Sequence, residues 1–223
     1  MNILKKNLIT KLIIFLMACA TFYTNDFSYA VNKEYKIIAE ENFLNSYSAS
    51  NLDGTYNAVI EIPSGSNEKW EVDKSGKYIS LEFKNGEPRL INYLGYPTNY
   101  GFIPRTLLSK EILGDGDAID VLVIGPKLER GSVVKVKLLG MLLMKDNQQI
   151  DNKIIGVLKN SVFERSISSI KDFEKEYPGI LDIIKTWFEN YKGVNAEING
   201  FVEKKATKKF IKEAELYYEK SNK

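Results

Sequence analysis

Three carboxylates fall within six residues in Gly114-Asp115-Gly116-Asp117-Ala118-Ile119-Asp120, at the entry to an apolar segment that reads as a strand. Residues two apart in an extended chain point the same way, so Asp115 and Asp117 can converge, and the glycines let the chain bend until Asp120 joins them. Such a cluster repels itself unless a cation sits among its oxygens, and hard oxygen donors without His or Cys favour Mg2+ or Mn2+ over zinc. The helix-loop-helix calcium pattern fails, because Ile119 and Asp120 stand where a ligand and a glycine are needed and no Glu follows at the twelfth position. Taken alone, the cluster is equally well described as a solvated Asp-Gly turn.

Two more charged sets accompany it. Asp146 and Asp151 flank a turn, and Lys153 follows Asp151 by two residues, which puts both on one face of a strand. Glu61 ends an earlier strand, and Lys69 and Glu71 share a face of the next. Each set read singly describes an exposed ion pair or a wet strand face. The segment Tyr96-Pro97-Thr98-Asn99-Tyr100-Gly101-Phe102 packs aromatics, Pro and Gly into what reads as a rigid irregular turn, from which tyrosine hydroxyls could donate to an anionic oxygen.

Composition narrows the chemistry. The 223 residues contain no His and one Cys, which removes Ser-His and Cys-His nucleophiles and His-based zinc sites. Hydrophobic residues at 44% and charged residues at 27% describe a chain able to bury a core, and no repeat or low-complexity tract interrupts it. Residues 1–30 have the layout of an export signal: Lys5, Lys6 and Lys11, then an apolar run from Leu12 to Phe22, then Ser28-Tyr29-Ala30 with small residues where a leader peptidase reads. The run is short for a membrane span. Lipid attachment at Cys19 and retention in the cytoplasm are the alternatives. Without the leader the chain has 28 basic and 28 acidic residues, no net charge and no thiol. A neutral body lacks the basic excess that drives nucleic-acid binding.

The elements that must position these groups are mostly β. Strands are expected over Thr55–Glu61, Ile119–Ile124, Val133–Leu143, Lys153–Leu158 and Ala196–Glu203, with a hairpin from Lys69 through Lys74-Ser75-Gly76 to Phe83. Residues 31–54 read as a polar arm with a short helical turn. Ile180, Ile184, Trp187, Phe188 and Tyr191 recur at helical spacing between Pro178-Gly179 and Gly193, and a second amphipathic helix covers Thr207–Lys220. Residues 31–223 are expected to form one α+β domain, mainly β, in which two or three helices pack on a β-barrel.

In order, Glu61-Ile62-Pro63, Lys69-Trp70-Glu71-Val72-Asp73, Tyr96-Pro97-Thr98-Asn99-Tyr100-Gly101, Asp115-Gly116-Asp117-Ala118-Ile119-Asp120-Val121, Asp146 to Lys153, and Tyr191-Lys192 resemble the soluble family I inorganic pyrophosphatases. The matches span about 130 residues, and the Asp-Gly-Asp signature in this company is highly specific. The resemblance implies an OB-like barrel, a homo-oligomer, and hydrolysis of pyrophosphate to two phosphates with several Mg2+ ions per site, for which Mn2+ or Zn2+ can substitute. It implies Asp115, Asp120, Asp146, Asp151 and Glu61 as metal-side acids and Asp117 as the base that deprotonates the attacking water. Lys69, Arg89, Tyr100, Lys153, Tyr191 and Lys192 are implied to grip the phosphates, with Glu71 and Tyr96 in support. Ala118 stands where the family usually has Pro, Asn147 where an acid is frequent, and Ser109–Leu113 is a small insertion. These seven acids (Glu61, Glu71, Asp115, Asp117, Asp120, Asp146, Asp151) and four bases carry a formal charge of −3, which by itself calls for several metals. A barrel that binds without catalysis, and a phosphatase for another small phosphoanhydride, are the alternative functions.

Overall fold

The computed structural model describes residues 35–165, 167–193 and 196–221, and the expected leader over residues 1–30 lies outside them. The strands are β1 (Lys36–Ile38), β2 (Tyr56–Ile62), β3 (Trp70–Val72), β4 (Tyr78–Leu81), β5 (Phe83–Lys84), β6 (Glu87–Pro88), β7 (Asn99–Phe102), β8 (Asp120–Ile124), β9 (Val133–Asp146), β10 (Gln149–Ile150), β11 (Lys153–Leu158) and β12 (Ala196–Glu203). Helices α1 (Ile170–Glu176), α2 (Ile180–Asn190) and α3 (Lys204–Ser221) complete the domain.

The long β9 closes the barrel. Its first residues pair with β2, its middle with β11 and its end with β12, while β2, β7, β8 and β11 follow one another around the ring. All these pairings are antiparallel except β8 with β11, whose parallel register sets Ile154 opposite Val121. That one parallel pair brings the N-terminal ends of two strands together, and those ends carry Asp120 and Lys153. The closed five-strand ring with helices outside it is the OB-like α+β architecture expected.

Both faces of the central strands are covered, so alternate side chains enter different cores. Val59, Leu122 and Leu139 join a cluster with Phe173, Ile184, Trp187 and Phe188 of α1 and α2. Ala58, Ile60, Val121, Val123 and Leu138 join a second cluster with Ile211 and Ala214 of α3. The strands therefore read as nearly unbroken apolar runs, as they do wherever helices cover a sheet.

Two expectations need correction. The arm over residues 31–54 contains β1, which pairs with β4 and makes the β3–β4 hairpin a three-stranded sheet. The segment Tyr96–Phe102 is only partly irregular: Asn99–Phe102 is strand β7, buried along its whole length. Gly101 signals close approach here and not a turn, since a Cβ added to it would lie 1.8 Å from the Val59 carbonyl oxygen.

Asn99 ties the loop after β2 to β8 and to the loop that follows it. Its fully buried amide oxygen accepts from Ser64 N at 3.2 Å and Leu128 N at 2.9 Å, and its nitrogen donates to Val123 O at 3.2 Å and Pro126 O at 2.9 Å. An apolar side chain would leave these backbone groups without that partner, at about 1–3 kcal/mol for each one stranded in the interior. Asn99→Leu is expected to lower unfolding stability by roughly 3 kcal/mol or more in urea titration; a loss under about 0.5 kcal/mol, the ordinary scatter of surface changes, would refute that role.

Candidate active site

The site is a cavity of about 380 Å³ at the end of the barrel where β8 and β11 begin. Its centre is the Lys153 ammonium, which lies 2.5 Å from Asp120 Oδ2 and 2.5 Å from Asp151 Oδ1 and is 1% exposed. Burial acts against the charged amine, but Asp120 and Asp151 outweigh it and its pKa is raised. The same parallel register that sets Ile154 beside Val121 brings the starts of the two strands, Asp120 and Lys153, side by side.

Glu61 enters from β2, 5% exposed, with Oε1 accepting from Val72 N at 2.7 Å. Burial pushes its carboxyl up to about 8, against the pull of Lys69 and the Val72 amide. Lys69 precedes β3 and lies 2.9 Å from Glu71. Burial opposes its charge too, yet Tyr96, Glu71, Glu61 and Asp120 together raise it. The ring of Tyr100 sits between the two lysines, 5.3 Å from Lys69 Nζ and 5.8 Å from Lys153 Nζ. Burial, then Asp120, drives its hydroxyl well above the usual range, so it is a neutral donor.

The Asp loop is pinned from below. Gly116 at φ +91° lets Asp117 N donate to Asp115 Oδ1 at 2.9 Å, while Gly116 N donates to Leu108 O and Leu108 N to Asp117 O. Burial and the nearby Asp120, Asp117 and Asp151 raise Asp115, the mark of carboxylates crowded together. The inserted residues form a 3-10 turn over Lys110–Ile112 behind the loop, capped by Ser109. On the far side, Tyr191 ends α2 stacked 4.3 Å from Trp187, and Lys192 reaches Asp146 at 2.5 Å and Asp151 at 3.9 Å.

Of the residues singled out in the sequence, Glu61, Lys69, Glu71, Arg89, Tyr96, Tyr100, Asp115, Asp117, Asp120, Asp151, Lys153, Tyr191 and Lys192 all line this cavity. Asp146 does not line it and is tied to the rim through Lys192. Arg89 lines it with its guanidinium bound to Glu82 at 2.6 and 2.8 Å. Asp73, Lys74, Tyr218 and Ser221 also line it and were not anticipated. Lys74 forms an ion pair with Asp117 from the tip of the β3–β4 hairpin, and its place next to Asp73 in the charged motif was the available signal. For Tyr218 and Ser221, on the last turn of α3, no local signal exists.

The oxygen-only donor set suits a hard divalent cation, and Asp120 and Asp151 already converge on one positive charge. Among the described residues no three acids stand close enough to form a ready ligand set; ammonium groups take their oxygens instead. Seven carboxylates and five cationic side chains line the cavity, a formal excess of two negative charges.

The inorganic pyrophosphatase family profile matches residues 58–219. The mitochondrial inorganic pyrophosphatase of Saccharomyces cerevisiae is 35% identical over 156 residues, 62% of this chain and 50% of the yeast protein. The inorganic pyrophosphatase of Campylobacter jejuni is 32% identical over 176 residues, 77% of this chain and 96% of that protein. The chain thus spans half the length of the first relative and nearly all of the second. An N-terminally truncated vacuolar soluble pyrophosphatase of Trypanosoma cruzi, solved in complex with PPi, superposes with a TM-score of 0.74 at 32% identity, covering 83% of this chain and 76% of that one. With the fold, the signature residues and the full-length bacterial match in agreement, the chain belongs to the family I soluble inorganic pyrophosphatases.

Proposed function

We propose that this protein hydrolyses inorganic pyrophosphate to two orthophosphates with Mg2+ as cofactor. The observation that carries the reading is the meeting of Asp115, Asp117, Asp120, Asp151, Lys69, Lys153 and Tyr100 in one cavity, although they come from four separate stretches of chain. An acid-rich cavity on its own would repel a polyanion; one that also presents buried ammonium groups and neutral tyrosines suits a small phosphoanhydride bound together with metal.

Asp115, Asp120 and Asp151 would hold the metal, with Glu61 and Asp146 completing the outer positions. Bound Mg2+ supplies Lewis-acid activation of a water and neutralises charge on the substrate. The chain does the rest by placement. Asp117, half-exposed at the cavity, accepts the proton of the attacking water once Lys74, whose side chain is exposed, swings off it. Lys69, Lys153, Lys192 and Arg89 bind phosphate oxygens as the bridging bond breaks, and Tyr100 and Tyr191 fix their orientation through hydroxyl donors. Phosphoryl transfer asks mainly for such positioning and needs no covalent nucleophile. The chain therefore carries out the reaction without His.

Residues 31–223 are expected to release phosphate from pyrophosphate in Mg2+, to lose that activity in chelator, and to lose about 100-fold or more in kcat on Asp117→Asn, the usual contribution of a general base. Wild-type protein that is folded but releases no phosphate in Mg2+ would refute the reading, and a fully active Asp117→Asn would refute the role of Asp117.

We also propose export. The support is the order of positive start, apolar run and small-residue site over residues 1–30. Intact mass of the protein isolated from its native cells is expected to begin at Val31; a chain starting at Met1, or one lipidated at Cys19, would contradict cleavage after Ala30.

A further inference from the structure

Glu61 occupies a β-bulge. The β2–β7 register sets Val59 opposite Phe102, Ile60 opposite Gly101 and then Ile62 opposite Tyr100, so Glu61 is the extra residue. A bulge re-aims a side chain and takes its backbone groups out of the ladder. Here it turns the carboxylate into the cavity and leaves a buried carbonyl oxygen that needs a donor.

Arg130, in the loop between β8 and β9, supplies it. Its Nε donates to Glu61 O at 2.9 Å, and its guanidinium lies over the Trp70 ring with Cζ 3.9 Å from the centroid. Nη2 stands 3.7 Å from Glu68 Oε2, the carboxylate that also accepts from Trp70 Nε1 at 3.0 Å. The side chain is only 18% exposed. Arg130 is itself held by its neighbours, since Gly131 N donates to Ile60 O at 2.7 Å and Ile60 N to Ser132 O at 2.9 Å. Trp70 is flanked in sequence by Lys69 and Glu71. One guanidinium therefore touches both the strand that presents Glu61 and the strand that presents Lys69 and Glu71. The guanidinium offers a planar face, an inner N–H and outer N–H groups at once, which a Lys ammonium does not.

We propose that Arg130 is a positioning residue of the active site, fixing the spacing between Glu61 on the bulge of β2 and the Lys69–Glu71 edge of β3. It touches no substrate. The proposal rests on the pyrophosphatase reading for its effect on turnover, but the placement of Glu61 can be measured without turnover, through metal binding.

The test is Arg130→Lys, which keeps the charge and loses both the Nε donor and the planar stack. Mn2+ binding followed by electron paramagnetic resonance, and the Mg2+ concentration giving half-maximal activity, are both expected to weaken by about 10-fold, the usual effect of removing a group that orients a metal ligand. Glu68→Gln, which keeps the side chain's size and removes its charge from the far end of the guanidinium and from Trp70 Nε1, is expected to shift both in the same direction by less. Unaltered Mn2+ affinity and Mg2+ requirement in folded Arg130→Lys would overturn the proposal, whether or not its melting temperature falls, because a purely structural role lowers stability without moving either midpoint. If Arg130→Lys does not fold, Glu68→Gln decides alone by the same two midpoints. If wild type releases no phosphate, the pyrophosphatase reading fails, while the Mn2+ comparison still decides the role of Arg130.

Discussion

Carboxylates gathered in one cavity hold together only if positive charge is built in among them. In this protein that charge is first of all Lys153, buried at the mouth of the barrel between Asp120 and Asp151. Removing one partner of such a buried pair typically costs about 3–5 kcal/mol, because the remaining charge is left uncompensated. The arrangement depends on a single topological choice, the parallel pairing of β8 with β11, which aligns the starts of two strands and so aligns an acid with a base 33 residues away. The other contacts extend the pattern outward: Lys69 to Glu71, Lys192 to Asp146, Lys74 to Asp117. Each ammonium holds in place an acid that a divalent cation can claim.

The barrel and the loops divide the work. The barrel and its two cores fix where Asp120, Lys153, Tyr100 and Glu61 stand, since all four are carried on strands or at their ends. The Asp115–Asp117 turn, the hairpin tip with Lys74 and the end of α3 are added around that frame. Polar groups away from the chemistry, the buried Asn99 amide and the partly buried Arg130 guanidinium, set the loop and strand spacings on which the frame depends. Their hydrogen bonds are to backbone atoms, so they act on where the chain runs.

Legibility in the sequence followed interaction range. Lys69 with Glu71 and Asp151 with Lys153 could be paired because residues two apart in a strand share a face, and both pairs form. The long β2, β8, β9, β11 and α2 were evident from their apolar patterns. Lys153 with Asp120, Lys74 with Asp117 and Lys192 with Asp146 are 33, 43 and 46 residues apart and had no local signature. Strand β1 was missed because three residues carry little periodicity, and β7 because Pro97 and Gly101 resemble turn residues, when Gly101 is there to let two backbones meet. The motif order could connect these distant pieces where spacing could not.

The central claim is that the cavity accepts a polyphosphate anion only when divalent cations reverse its charge. Calorimetric titration of the folded protein with methylene bisphosphonate, an analogue whose P–C–P bridge resists hydrolysis, tests it without turnover. In Mg2+ the account predicts saturable binding, and in excess chelator none over the same concentration range. Equal affinity in the two conditions would contradict it.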